Sequence, residues 1–308
     1  MERVHTVAAV RGVVGDWRSE GAGVALVPTM GNLHRGHLRL VERARELADR
    51  TVVTIFVNPL QFGAGEDFDS YPRTLEADVR LLADAGADLV YAPGGGQMYR
   101  RPPEEQTLVE VPGVSDILCG ASRPGHFSGV ATVVCKLLNQ VSPDVAVFGM
   151  KDFQQLLVIR RMVDDLDIPV DIVGYPVVRD KDGLALSSRN GYLTPRERAV
   201  APELVASLRA IEKAIRDGRR DYPRLEQEAG ERLARAGSLP KPANRVGDEA
   251  RRVTAIIADV AAVAEGHHPA AVDHARGRVD PAVRPDRERL GIPPDHQRGR
   301  IPAGGKTA

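Results

Sequence analysis

The chain has 308 residues, enough for a sizeable core and about two domains, and its 42 basic residues balance its 42 acidic ones. That balance excludes a global electrostatic footprint for nucleic acid or an anionic membrane, so local clusters must carry any phosphate binding. Two cysteines, Cys119 and Cys135, without C-x-x-C spacing give no disulfide framework and point to a reducing, cytoplasmic setting.

Charges interrupt the apolar positions of MERVHTVAAVRGVVGDWRSE at the start, which therefore reads as neither a signal peptide nor a membrane span. Apolar runs then alternate with helical patterns. GVALVPT reads as a strand, HLRLVERARELADR as a helix and TVVTIFVN as a strand. LEADVRLLADAG (helix) and ADLVYAP (strand) follow, then FSGVATVVCKLLNQVS (helix) and DVAVFG (strand). DFQQLLVIRRMVDDLD (helix) and PVDIVGYPVV (strand) complete the series. This alternation predicts an α/β fold with a doubly wound, Rossmann-like parallel sheet over residues 1–178. Ligands in such sheets bind beyond the carboxyl ends of the strands.

Residues 179–236 read as a smaller C-terminal domain: a hinge loop, then helices over TPRERAVAPELVASLRAIEKAIRDG and YPRLEQEAGERLARAG, with Thr194 and Pro195 opening the first. Residues 237–308 are atypical. No aromatic residue follows Tyr222, and Arg, Pro, Gly and Ala dominate, with only VTAIIADVAAVAEG able to pack. This tail is expected to be largely disordered, leaving the C-terminal domain incomplete.

Chemistry concentrates at the predicted strand ends. VPTMGNLHRGHLRL leads from a strand into a helix and sets His34 and His37 three apart beside Gly31 and Gly36. Free backbone N–H groups and the helix dipole favour an anion there, and two imidazoles on one face can donate to it. Zinc would need further ligands, and no Glu follows His34 as in H-E-x-x-H; phosphate is the better reading. FVNPLQFGAGEDFDSYPRT supplies the amides Asn58 and Gln61, suited to a small hydroxy acid. FGMKDFQQLLVIRR brings Gly149, the point charge of Lys151 with Asp152 beside it, and the amide of Gln155. In DGLALSSRNGYLTPRER, Ser187, Ser188 and Arg189 combine short donors with a guanidinium fork able to clamp a polyphosphate.

PTMGNLHRGH resembles the H-x-G-H signature of nucleotidyltransferases, and its flanks resemble those of pantothenate synthetases (pantoate–β-alanine ligases). The run Asn58-Pro-x-Gln61-Phe with Tyr71-Pro-Arg73-Thr, the Lys151-Asp152 and Gln154-Gln155 positions, and the Ser-Ser-Arg-Asn loop are similar to the same family in the same order. Two positions depart from its Gly-Glu-Lys-Asp-Tyr-Gln-Gln pattern: Met150 replaces Glu and Phe153 replaces Tyr. The resemblance implies ATP as a substrate over Met30, Gly31, His34, His37, Gly149, Lys151, Asp152, Val178, Ser187, Ser188 and Arg189. It implies pantoate at Pro28, Thr29, Asn58, Gln61 and Gln155, and Mg2+ with Asp78 as a ligand. His34, His37, Lys151, Ser187, Ser188 and Arg189 would be catalytic, and His126 would lie near the site or cap its helix. The implied reaction condenses pantoate with the amine of β-alanine through a pantoyl-adenylate, in a homodimer, with neither nucleic acid nor membrane as partner. Two other readings compete: an enzyme adenylating a different small acid, and a nucleotide-binding relative that Met150 and the tail have made inactive.

Overall fold

The structure is a computed structural model and describes residues 1–237. The expectations of a largely disordered tail and of a packing segment at 253–266 fall on residues outside that range.

In chain order the elements are β1 (Glu2–Val4), α1 (Val7–Ser19), β2 (Val24–Thr29), α2 (Arg35–Leu47), β3 (Arg50–Ile55), α3 (Leu75–Asp84) and β4 (Leu89–Tyr91). Two one-turn helices follow, α4 (Gly95–Met98) and α5 (Cys119–Ser122), then α6 (His126–Val141), β5 (Val145–Gly149), α7 (Phe153–Asp165) and β6 (Asp171–Tyr175). Helices α8 (Pro195–Val200), α9 (Glu203–Arg216) and α10 (Tyr222–Arg235) complete the described chain. All strand pairs are parallel, in the order β1-β4-β3-β2-β5-β6.

Successive side chains of β2 point to opposite faces, and both faces are dry. Leu26 joins one core layer with Val10 and Val14 of α1, Leu137 of α6 and Ile159 of α7. Ala25 and Val27 join the other with Leu40, Val41 and Ala44 of α2 and Leu82 of α3. This two-sided burial explains why the strands read as continuous apolar runs rather than alternating ones. Each fully buried Val or Leu contributes roughly 1.5–3 kcal/mol.

Two local findings differ from the sequence expectations. The charged N-terminal segment holds β1 and α1, which its interrupted apolar pattern does not predict; Val10 and Val14 are its buried face. The helix expected over 194–218 is two helices, because Pro202 removes an N–H and breaks the ladder between α8 and α9. Pro28 lies within a central strand, but β2 pairs with β5 only at Ala25 and Leu26, so the ladder on that side ends before it. Helices α9 and α10 form a separate small core from Ile211, Ile215, Leu225, Ala229 and Leu233.

The sheet order reverses at β2: chain progression runs outward through β3 and β4 on one side and through β5 and β6 on the other. The crevice that opens at such a reversal is where this fold class binds ligands. One packing contact sets its floor. Gly129 of α6 passes so close to the 3-10 turn Pro59–Gln61 that an added Cβ would stand 2.2 Å from the Leu60 carbonyl oxygen and 2.7 Å from the Gln61 nitrogen. Both are backbone atoms, so neither can swing aside. Gly129→Ala is therefore expected to cost about 1–3 kcal/mol by overpacking, read as a lower denaturation midpoint, and to misplace Gln61.

Candidate active site

The turn after β2 is built by unusual backbone and one buried carboxylate. Gly31 and Asn32 both have positive φ, 82° and 48°. The turn amides of Asn32 and Leu33 donate inward to Asp78 Oδ2 and Oδ1 at 2.9 and 2.8 Å, and Thr74 Oγ1 donates to the same carboxylate at 3.0 Å. Asp78 is 1 % exposed. It is thus neither a solvated helix residue nor a free ligand, and its work is to brace the turn. A magnesium-ligand role for it loses its basis: the carboxylate is already held by three donors, and the described residues contain no group of three candidate metal ligands.

His34 is the N-cap of α2. Its Nδ1 accepts from the Gly36 amide at 3.1 Å, and His37 Nδ1 accepts from the His34 amide at 3.3 Å. Backbone N–H groups can only donate, so both rings must carry their proton on Nε2 when neutral. The rings lie 4.1 Å apart between centroids. Burial, followed by the nearby Lys151 charge, lowers the His34 pKa. Burial, with His34 and Lys151 beside it, pushes His37 down to about 3. Both are therefore neutral Nε2–H donors at pH 7. Gly36 is required between them, since a Cβ there would meet the His34 ring at 2.8 Å.

Lys151 follows β5 on a 3-10 turn, Met150–Asp152, and its Nζ lies 3.3 Å from Asp152. Met150 packs against the core and would touch a Cβ at Gly174, so the change from a carboxylate turns that side chain into packing while Lys151 stays on the rim. Gln154 is consumed structurally: it donates to the Val114 and Ile117 carbonyls and accepts from the Cys119 amide. Gln155, one residue on, is half-buried.

Asn58 corrects an expectation of direct substrate contact. It is 1 % exposed, its Nδ2 donates to Gln61 Oε1 and the Gly129 carbonyl, and its Oδ1 accepts from Leu60 N and Tyr99 Oη. No donor or acceptor is left over; Asn58 orients Gln61, whose Nε2 points at Met30 Sδ, 2.9 Å away. Thr29 is spent in the same way, donating to the Thr54 carbonyl and accepting from Gly31 N.

The loop after β6 closes over the turn. Ser188 Oγ donates to the Asn32 carbonyl at 3.0 Å while Asn32 Nδ2 donates to the Ser188 carbonyl. Ser187 caps the short 3-10 helix Ser188–Tyr192 by accepting from Arg189 N. The Val178 carbonyl accepts from Leu186 N, which closes the base of the loop. Arg189 makes a two-pronged pair with Asp67, both contacts 2.9 Å, and lies over the Tyr71 ring. His126 is the first residue of α6, but Gly125 is its cap residue. Burial, then the charge of Arg123, lowers the His126 pKa to about 4. As a neutral ring it accepts from Arg123 Nη1 at Nε2 and donates from Nδ1 to the Gln61 carbonyl. Arg123 and Glu66, which no sequence motif singles out, enter the site through this network; an isolated Arg in a Gly/Pro loop carries no signal without the fold.

A parallel sheet with an H-x-G-H turn at its reversal, a lysine on the neighbouring strand end and a Ser-Ser-Arg loop across them defines a nucleotide-binding protein of the H-x-G-H class. A family model described as Pantoate-beta-alanine ligase matches residues 2–265. The pantothenate synthetase of Thioalkalivibrio sulfidiphilus is 58 % identical over 241 residues, 78 % of this chain and 84 % of that one. The Pseudomonas aeruginosa (strain UCBPP-PA14) pantothenate synthetase is 56 % identical over 240 residues, 78 % and 85 % of the two chains. Among solved structures, the pantothenate synthetase of Thermus thermophilus superposes with a TM-score of 0.72 at 50 % identity, covering 79 % of this chain and 86 % of that one. A Francisella tularensis pantoate-beta-alanine ligase, described as complexed with beta-gamma ATP and beta-alanine, gives 0.66 at 32 % identity over 75 % and 86 %. The chain belongs to the pantoate–β-alanine ligase family.

The histidines also set a pH dependence of stability. Their folded pKa values, about 3 for His37 and about 4 for His126, lie below the ordinary 6.5. Between those values the unfolded chain binds more protons, so their contribution is full above pH 6.5 and is lost as pH falls toward 4. The thermal midpoint should drop from pH 7 to pH 4.5, and His37→Gln should flatten that slope. Asp78→Ala should cost about 1–3 kcal/mol for each turn amide left unpaired, measured by denaturant unfolding.

Proposed function

We propose that this chain forms pantothenate from pantoate, β-alanine and ATP, through a pantoyl-adenylate, in the crevice between β2 and β5. The observation that carries the reading is the pair of neutral Nε2–H imidazoles at the N-terminus of α2, beside Lys151. Neutral donors fixed by backbone amides need no reorganisation when charge develops on a phosphate, and a helix N-terminus adds its own positive end.

In the first step a pantoate carboxylate oxygen attacks the α-phosphorus. The bond from that phosphorus to the bridging oxygen breaks, and pyrophosphate leaves. His34, His37 and Lys151 stabilise the added negative charge, and Ser187, Ser188 and Arg189 hold the departing phosphates. Met30, Gly31, Gly149, Asp152 and Val178 contribute to the nucleotide's bed; Pro28, Gln61 and Gln155 contribute to that of pantoate. Asn58 and Thr29 act behind them by fixing Gln61 and the turn. In the second step the β-alanine amine attacks the acyl carbon, the acyl–oxygen bond breaks and AMP leaves, the amine's surplus proton passing to solvent. Closely held reactants supply much of the rate, and a shielded anhydride escapes hydrolysis.

Magnesium fits this scheme as a counter-ion brought by the outer phosphates rather than as a resident ion, since Mg2+ is commonly held through substrate phosphates. When bound it would neutralise pyrophosphate as it leaves. Both cysteines stand as thiols rather than in a disulfide, which accords with a cytoplasmic enzyme, and a homodimer is part of the same reading.

Incubation with ATP, pantoate and β-alanine should yield AMP, pyrophosphate and pantothenate in equal amounts; no pyrophosphate would overturn the reading. Lys151→Ala should lower adenylation by about 100-fold or more while leaving the melting curve unchanged, since removing one aimed donor commonly costs about 100- to 1,000-fold. His34→Ala is a less clean test, because it also removes a helix cap worth about 1 kcal/mol.

A further inference from the structure

A second cavity, lined by residues so far given to neither substrate, flanks the Gln61 turn. With a volume of about 280 Å³, it opens between the Leu60–Glu66 loop and the N-terminus of α6, lined by Leu60, Phe62, Glu66, Arg123, Gly125 and His126. Its charged wall is Arg123. Arg123 Nε and Nη2 donate to the two Glu66 oxygens at 2.7 and 2.6 Å, a fork-on-carboxylate geometry. Nη1 donates to His126 at 2.9 Å and Nη2 also reaches the Gln61 carbonyl at 3.4 Å. The guanidinium is thus aimed by a neutral ring and tied to the residue proposed to hold pantoate. Its side chain is only 16 % exposed.

The reaction has one anionic group still without a partner, the carboxylate of the amine substrate. Three other cations among the described residues of the crevice are committed. Lys151 and Arg189 serve phosphate under the proposed function, and Arg73 donates to the Phe68, Asp69 and Tyr71 carbonyls. Glu66 has a neighbour in the same situation. Asp67 holds Arg189, which must release it to take a phosphate, so one loop carries consecutive carboxylates on two substrate-facing arginines.

We propose that Arg123 binds the carboxylate of the β-amino acid, and that Glu66 occupies that place until the substrate displaces it. The proposal rests on the ligase reading above. His126 is a positioning residue here: it fixes the guanidinium plane without touching the substrate. The site favours a short amine bearing a carboxylate over the same amine without one.

The test separates the two half-reactions. Pantoate-dependent exchange of pyrophosphate into ATP needs no amine and reports adenylation alone; its absence in the unmodified enzyme would sink the ligase reading, not this one. With exchange present, Arg123→Ala should retain it but raise the KM for β-alanine about 10- to 100-fold, the usual loss for a hydrogen-bonded charge. The ratio of kcat/KM for β-alanine to that for propylamine, which does not depend on how much enzyme is folded, should fall by a similar factor. Glu66→Gln should lower the KM for β-alanine several-fold. An unchanged amine preference in Arg123→Ala, or loss of exchange along with amide formation, would overturn the proposal and leave Glu66–Arg123 a structural ion pair.

Discussion

The turn after β2 must expose backbone N–H groups to a ligand without collapsing, and Asp78 makes that possible. Two of its amides, Asn32 and Leu33, are taken inward by the Asp78 carboxylate. That bracing fixes the positive-φ path through Gly31 and Asn32, and so where His34 begins the helix. From there the geometry propagates: His34 caps α2 at Gly36, His37 accepts from His34, and the two rings lie 4.1 Å apart, tilted by 33°. The Ser188 loop then closes on the same turn through Asn32. One buried carboxylate therefore supports both the histidine turn and the loop that closes on it.

The polar groups of the crevice fall into two sets, distinguished by whether their hydrogen-bonding capacity is used within the protein. Asn58, Thr29, Gln154 and Asp78 are spent on backbone groups or on one another. Lys151 is instead held by Asp152 on a half-exposed contact, and Arg189 by a two-pronged pair with Asp67, whose side chain is largely buried. A single exposed pair such as Lys151–Asp152 is weak in water, so an anion can replace that carboxylate at little cost, whereas the Arg189 fork must exchange two charge-assisted bonds for two others. A rigid inner layer and exchangeable outer pairs together allow preorganisation and substrate entry in the same small volume.

Much of the fold was legible because its signals are local. Buried parallel strands must be continuously apolar, and amphipathic helices must show their stripe, so β2 to β6 and α2, α3, α6 and α7 stand near their expected ranges. Misses have equally physical causes. In the N-terminal segment the short β1 and the α1 stripe, Val10 and Val14, are diluted by charge. Between α8 and α9, helix periodicity continues across Pro202 although the ladder does not.

For the site, the sequence by itself determined which chemical groups are present and that they fall at successive strand ends: His34, His37, Gln61, Lys151, Gln155 and the Ser187–Arg189 loop. Those are properties of residue type and spacing, and they were enough to indicate the family. Only the tertiary structure decided which of them face a ligand. Asn58 and Asp78 read as substrate and metal contacts until groups remote in the chain, the Gly129 carbonyl and the Leu33 amide, were seen to consume them. The same distance effect brought Arg123 to Glu66 and set the histidines' charge state. Burial and hydrogen-bond partnership depend on contacts between segments remote in the chain, and no local pattern of residues encodes them.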